Sequence, residues 1–182
     1  MKRAKLTPTS EATLGPFFPP RYVDEGANDL TRLEGRPARG EVIEIAGRVV
    51  QEDGAPLDNL VLEIWQADAQ GIYRHPDDPR HAQADPNFLG WGRAATDREG
   101  RYRFRTIRPG APEGRAPHIS FMVMYSGLMR ILKTTMFFED SDDPVLKLVP
   151  PSRRRLLIAK GKSSFEFDIR LRGADETPFF DD

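Results

Sequence analysis

Near its C-terminal end the chain alternates without a break. Phe165, Phe167, Ile169 and Leu171 fall on one face, and Glu166, Asp168 and Arg170 on the other. A period of two is what a β-strand with one buried face requires, and a helix cannot satisfy it. Arg101 to Thr106 repeats the pattern, with Tyr102 and Phe104 inward and arginines outward. Val42, Ile43, Ile45, Val49 and Val50 make a β-branched run that ends at the Asp53-Gly54 turn. Leu60 to Gln66 reads as a central strand; His118 to Tyr125 and Leu128 to Phe138 read as two more, joined at Ser126-Gly127. Sixteen prolines and fifteen glycines cut the chain into short pieces, which suits many turns between strands. One helix is expected: Pro150-Pro151-Ser152 as N-cap, Arg153 to Lys160 as body, Gly161 as stop. Its Arg153-Arg154-Arg155 triplet reads as a solvated face rather than a nucleic-acid patch. The prediction is an all-β fold, a β-sandwich of mostly antiparallel strands with irregular loops and one short helix near 152–160.

Residues 1–40 lack such periodicity. Thr13-Leu14-Gly15-Pro16-Phe17-Phe18-Pro19-Pro20 is apolar yet full of breakers, and Gly26 to Gly40 is polar and irregular. An arm that cannot build its own core needs a surface to lie on. That surface is either its own domain, 41–182, or another subunit.

Charge excludes several partners. Lys and Arg number 27 against 28 Asp and Glu, a net charge of -1, so no overall field draws the chain to nucleic acid or anionic lipid. With no cysteine, disulfides and thiolate metal sites are excluded, in keeping with a reducing compartment. No stretch approaches the ~20 apolar residues of a membrane span, and Met1 to Pro8 has no apolar segment of a secretory signal. The expectation is a cytoplasmic protein without membrane or nucleic-acid partners.

Chemistry-bearing residues are few. His75 and His81 lie in the polar loop Arg74 to Asp85, where solvated histidines are the ordinary reading. His118 opens an apolar strand, and its i+2 neighbour on the same face is Ser120. A second imidazole there would aim two ligands at one metal; a serine hydroxyl is a poor transition-metal ligand. Taken alone, His118 reads as a hydrogen-bonded core residue.

Four segments carry a resemblance. Leu62-Glu63-Ile64-Trp65-Gln66-Ala67-Asp68-Ala69, Gly71-Ile72-Tyr73-Arg74-His75, Gly92-Arg93-Ala94-Ala95-Thr96-Asp97 and Tyr102 to Gly110 stand in unbroken order. Together with Thr7 onward and the terminal Thr177-Pro178-Phe179-Phe180-Asp181, the sequence resembles the intradiol ring-cleaving catechol dioxygenases, most closely their protocatechuate-cleaving branch. In that family's catalytic chains two tyrosines and two histidines hold ferric iron. The substrate catecholate chelates the iron, and dioxygen attacks the ring between the hydroxyl-bearing carbons.

The resemblance maps Tyr73 onto the first tyrosine and His118 onto the first histidine, but Ser120 onto the second histidine. The second tyrosine is expected soon after Pro109-Gly110, where this chain has Ala111-Pro112-Glu113-Gly114. Tyr73, His118, Ser120 and Arg115 are therefore expected to be vestigial metal-site positions, with no metal held and no catalytic residue in this chain. Arg115 matches an arginine near the family's site, with a solvated loop arginine as the alternative. The resemblance implies an iron-free α subunit paired with an iron-bearing β subunit of the same fold. Fe(III), protocatechuate and dioxygen would meet in that partner's site. Thr13, Gly15 and Pro16 match the α-chain segment that lines the partner's substrate pocket. Ser126 replaces an arginine there, and Arg130 is the nearest substitute. Two alternatives stand beside this: a self-sufficient dioxygenase using His75 or Glu113 as substitute ligands, and a β-sandwich interaction module.

Overall fold

A computed structural model of the chain describes Phe18 and residues 22–180; Thr13, Gly15 and Pro16 lie outside the described residues. The described residues form eleven strands: β1 (Arg32–Leu33), β2 (Arg36–Pro37), β3 (Val42–Val50), β4 (Val61–Trp65), β5 (Trp91–Ala95), β6 (Arg101–Ile107), β7 (His118–Met124), β8 (Leu132–Phe137), β9 (Lys160–Gly161), β10 (Ser164–Glu166) and β11 (Ile169–Arg170). In one sheet β3 pairs antiparallel with β6 on one side and parallel with β10 and β11 on the other, and β9 flanks β10. The second sheet runs β5-β4-β7-β8, antiparallel throughout. The two sheets close over one core, the sandwich that the alternation predicts.

Each sheet contributes its inward residues. Ile43, Ile45, Val49, Phe104, Phe165 and Ile169 come from the first, and Leu62, Ile64, Ile119, Phe121, Val123 and Met136 from the second. Phe121 sits at the centre, meeting Phe104, Tyr102 and Phe167 with ring centroids 6.2, 6.0 and 5.3 Å away. Burying a phenylalanine this fully stabilises the fold by about 2–3 kcal/mol. A second, smaller cluster of Phe137, Leu146, Val149 and Leu157 lies against β8.

Several elements differ from expectation. The C-terminal strand is broken in two: after Glu166 the chain bulges at Phe167 and Asp168, so that Arg48 N–H bonds Asp168 Oδ1 at 2.8 Å and Tyr102 Oη donates to the Phe167 carbonyl. Strand β5 goes unpredicted because Trp-Gly-Arg-Ala-Ala does not alternate. β8 begins at Leu132, the residues before it forming the turn. The expected helix is shorter: α2 (Pro151–Arg154) becomes a 3-10 turn at Arg155–Leu157. It stops because Leu157 is buried in the second cluster and the Ala159 N–H reaches the Phe137 carbonyl at 2.9 Å. A preceding short helix, α1 (Pro144–Lys147), has its signal in the sequence, Asp143 as N-cap followed by Pro144. The basic triplet is not simply solvated. Arg153 and Arg154 bond the carbonyls of Glu176 and Val149 at 2.7 and 3.1 Å, and Arg155 pairs with Asp175 at 2.6 Å.

Residues 22–40 run along their own sandwich. Leu30 is buried in the core and Thr31 beside it, and Arg105 bonds Asp29 at 3.1 Å and Thr31 at 3.0 Å. Among the described residues no helix is long and apolar enough to cross a membrane.

Candidate functional site

The site lies on the outer face of the second sheet, where β7 begins. Alternation turns Ile119 into the core and leaves His118, Ser120 and Met122 on the other side. The loop from Gln66 to Gly90 and the segment before α1 then cover His118, which is 3% exposed.

Two buried or bonded aspartates shape that loop. Asp68 accepts from the N–H groups of Gln70, Ile72 and Asp85 at 2.9, 3.0 and 2.8 Å. Asp78 accepts from the Tyr73 N–H at 3.0 Å and the Arg80 N–H at 2.8 Å, which fixes where Tyr73 leaves the backbone. Those backbone bonds hold the Asp78 carboxyl below its usual range. Gly71 adopts φ 76°, and a Cβ there would stand 2.0 Å from the Ala111 carbonyl oxygen, so only glycine lets the two loops touch.

Tyr73 and His118 meet. The tyrosine oxygen is 3.1 Å from His118 Nε2, while His118 Nδ1 is 2.8 Å from the Ala116 carbonyl. A carbonyl only accepts, so Nδ1 carries the imidazole proton, and the Nε2 lone pair accepts the Tyr73 hydroxyl. Burial pushes the Tyr73 phenol up and the His118 imidazole down, so both stay neutral at pH 7. Each is the other's partner.

Arg115 and Asp143 hold the neighbouring wall. Asp143 Oδ2 accepts from Arg115 Nε and from the Ala116 N–H, both at 2.8 Å, and Oδ1 accepts from the Val145 N–H at 2.8 Å. Burial opposes ionisation of Asp143, but the bonds from Arg115, Ala116 and Val145 outweigh it and hold the carboxyl below the usual range. Because Ala116 is anchored to Asp143, its carbonyl is held in place to orient the His118 ring.

Tyr73, Arg115 and His118 line one cavity of about 590 Å³, together with Trp65, His75, Glu113 and Met122. Ser120 does not line it. It faces a separate recess of about 260 Å³ beside Phe180 and Thr135. Ser126 lies beyond the far end of β7. His81 is exposed, with Nδ1 2.9 Å from the Asp78 carbonyl. Sequence reasoning missed Trp65 as a wall, Asp78 as the anchor of Tyr73, and Asp143 as the anchor of Arg115. Only Asp143 carried a local signal, its place before Pro144.

The dioxygenase family model matches residues 14–114. The chain is 34% identical to the protocatechuate 3,4-dioxygenase alpha chain of Burkholderia cepacia, covering 100% of both. The beta chain from the same organism is 41% identical over 83% of this chain and 74% of its own length. Among solved structures, the dioxygenase domain of a carbohydrate-binding fusion from Streptomyces sp. SirexAA-E superposes with a TM-score of 0.60 at 25% identity, covering 92% of this chain and 100% of that one. The chain belongs to the intradiol dioxygenase family.

The family is iron-dependent, so the donor set must be set against that ion. Ferric iron is a hard cation that wants several imidazole and anionic oxygen ligands at once. At the family's ligand positions the cavity offers one phenol and one imidazole bonded to each other, with His75 and Glu113 elsewhere in its lining, and Ser120 faces a separate recess. The remaining tyrosines are Tyr22, Tyr102 and Tyr125. Tyr102 donates to Phe167 within the core, and Tyr22 donates to Met124 Sδ at 3.3 Å. Among the described residues, no three His, Asp or Glu side chains converge in a way that could hold a metal ion. The residues present do not fit a ferric site.

Proposed function

We propose that this chain is the iron-free α subunit of a protocatechuate 3,4-dioxygenase. It completes the pocket of an iron-bearing β subunit that cleaves protocatechuate with dioxygen to 3-carboxy-cis,cis-muconate. One observation carries the reading: Tyr73 and His118, the two candidate ligands that survive, hydrogen-bond each other at 3.1 Å, while Ser120 faces a separate recess. Identity to the beta chain of Burkholderia cepacia is higher, but it covers less of either protein, whereas the match to the alpha chain is end to end. Identity averages over the shared sandwich; the donor set bears on the chemistry directly.

On this reading Thr13, Gly15 and Pro16 reach the partner's substrate pocket, where a glycine allows close backbone approach and a proline fixes its shape. The chain's own Tyr73, His118, Ser120 and Arg115 hold no metal. The chain acts in the cytoplasm as half of an αβ pair. A second reading, a self-sufficient dioxygenase, draws on His75 and Glu113, since both line the cavity with Tyr73 and His118.

Iron content separates the two. The chain is expressed alone and with its partner, and iron and protocatechuate cleavage are measured on both preparations. The proposal expects far less than one iron per chain and no cleavage from the lone chain, with both present in the co-purified assembly. Stoichiometric iron and turnover from the lone chain, lost on Tyr73→Phe or His118→Ala, would establish the second reading instead.

A further inference from the structure

Two tryptophans on the outer face of the second sheet lead to the place where Tyr73 meets His118. Trp65 on β4 and Trp91 on β5 are direct cross-strand partners, and their rings stack at 6.0 Å with 19° between the planes. Neither ring is fully buried, so a small solute can reach them. Trp65 and Tyr73 line the same cavity.

An indole or phenol that loses one electron becomes a strong acid, so each gives up that electron readily only where a base can take its proton. Both have one here. Trp65 Nε1–H donates to Glu63 Oε1 at 2.6 Å, and the Tyr73 hydroxyl donates to His118 Nε2 at 3.1 Å. Tyr73 is the one tyrosine among the described residues whose hydroxyl meets a basic nitrogen. Tyr22 donates to a thioether sulfur and Tyr102 to a carbonyl, which are poor proton acceptors. Burial keeps the Tyr73 phenol protonated at rest, so electron and proton leave together. A proton that reaches Nε2 makes an imidazolium whose Nδ1–H already faces the Ala116 carbonyl at 2.8 Å, in a segment anchored on the Asp143 carboxylate.

Charge sets the direction. The Arg93 guanidinium lies 5.2 Å from the Trp91 ring and 4.2 Å from the Tyr22 ring, where it disfavours a second positive charge. Trp65 has a carboxylate at its N–H instead, and Tyr73 has a neutral imidazole. An electron hole on Trp91 is therefore drawn to Trp65 and then to Tyr73.

We infer that Tyr73 and His118 form a proton-coupled redox site, fed through Trp91 and Trp65, that takes up the electron hole left by a small one-electron radical oxidant. The oxidant gains one electron from an indole and becomes an anion; at Trp65 the Nε1 proton passes to Glu63. An electron from Tyr73 then refills the indole, the Glu63 proton returns to Nε1, and the Tyr73 proton moves to His118 Nε2. The net products are the reduced oxidant, a Tyr73 phenoxyl radical and a His118 imidazolium. The inference rests on the reading that Tyr73 and His118 hold no iron.

The test is pulse radiolysis of the full chain in azide solution saturated with nitrous oxide, in which the azidyl radical oxidises tryptophan in preference to tyrosine. Indolyl and phenoxyl radicals are followed by their separate absorption bands. In the parent, indolyl decay and phenoxyl growth should share one first-order rate that is independent of protein concentration and falls in heavy water. Tyr73→Phe should lose that growth, and Trp65→Phe should leave the hole on Trp91. His118→Phe, which removes the proton acceptor, should slow the step about tenfold, as loss of one net hydrogen bond implies. Tyr22→Phe should leave it unchanged. Thermal midpoints establish that each variant is folded, and Tyr73→Phe decides the outcome if His118→Phe is not. The inference is overturned if the parent shows no such conversion, if folded Tyr73→Phe or His118→Phe converts at the parent's rate, or if Tyr22→Phe abolishes it. Iron is assayed on the same preparation. Stoichiometric iron overturns this site and the subunit reading together, whereas iron-free protein without the conversion overturns this site alone.

Discussion

Asp143 does more for the site than any residue inside the cavity. It is buried, and it holds Arg115, the Ala116 N–H that orients His118, and the first turn of α1. Replacing it with alanine strands three donors, and a cost of about 3 kcal/mol in chemical denaturation is expected. Its depressed carboxyl also fixes the sign of a pH effect. The stabilisation is fully present above the ordinary aspartate value near 3.9 and is lost as pH falls through the lower folded value. The difference between parent and Asp143→Asn should therefore be constant from neutral pH to about pH 5 and shrink only below about pH 4. A difference that narrows between pH 7 and 5 would mean another group is titrating. The sequence pointed to Tyr73 and His118 because each sits in a recognisable segment. It could not show that they would bond each other, since that pairing depends on a loop anchored by Asp68 and Asp78. Ser120 looked like a site position because i and i+2 share a strand face, yet the cavity takes His118 and Met122 from that face and leaves Ser120 to a separate recess.

Among the elements, the split between β10 and β11 is the most demanding. Both pair with β3 in parallel, Phe165 opposite Ile45 and Ile169 opposite Val49, and the bulge between them presses the Phe167 carbonyl onto Gly47. A Cβ at Gly47 would stand 2.0 Å from that oxygen and 3.1 Å from Tyr102 Cε1. Gly47→Ala should therefore destabilise by about 2–3 kcal/mol through steric overlap alone. Gly54→Ala is the control: its Cβ meets nothing within 4 Å, but φ is +84°, so about 1 kcal/mol of backbone strain is expected. Urea midpoints of the two variants test the ranking, and equal losses would refute it. Alternation made most strands legible, because a buried face imposes period two whatever the neighbours are. It missed β5, whose Gly92 is required by contact rather than pattern: a Cβ there would lie 2.5 Å from the Ala27 carbonyl. It also overran the helix, which tertiary contacts of Leu157 and Ala159 cut short.

For the whole molecule, the decisive boundary falls inside the segment that lacks periodicity. A flat reading of residues 1–40 as one arm predicts that they can be removed together. Yet Leu30 is 5% exposed within the core, and Arg105 on β6 bonds Asp29 and Thr31. Tyr22 lies with its ring 4.2 Å from the Arg93 guanidinium, and that arginine is salt-bridged to Glu63 at 2.6 Å. These contacts belong to the sandwich, so residues 22–40 are part of this chain's own fold. Deleting residues 2–20 removes Phe18, whose ring stacks on Tyr22 at 5.2 Å, but keeps Leu30 and the Asp29–Thr31–Arg105 contacts, so the thermal midpoint of the lone chain should fall less than in the longer deletion. Deleting residues 2–40 removes Leu30 and the Asp29–Thr31–Arg105 contacts, and burial of the leucine alone accounts for about 2 kcal/mol. If the proposed assembly with an iron-bearing partner is right, the shorter deletion should raise its KM for protocatechuate and leave kcat largely intact, the signature of lost uniform binding. If the 2–20 deletion leaves both KM and assembly untouched, Thr13, Gly15 and Pro16 do not reach the partner's pocket. If it lowers the midpoint of the lone chain as far as the longer deletion does, residues 2–20 are part of this chain's own fold instead.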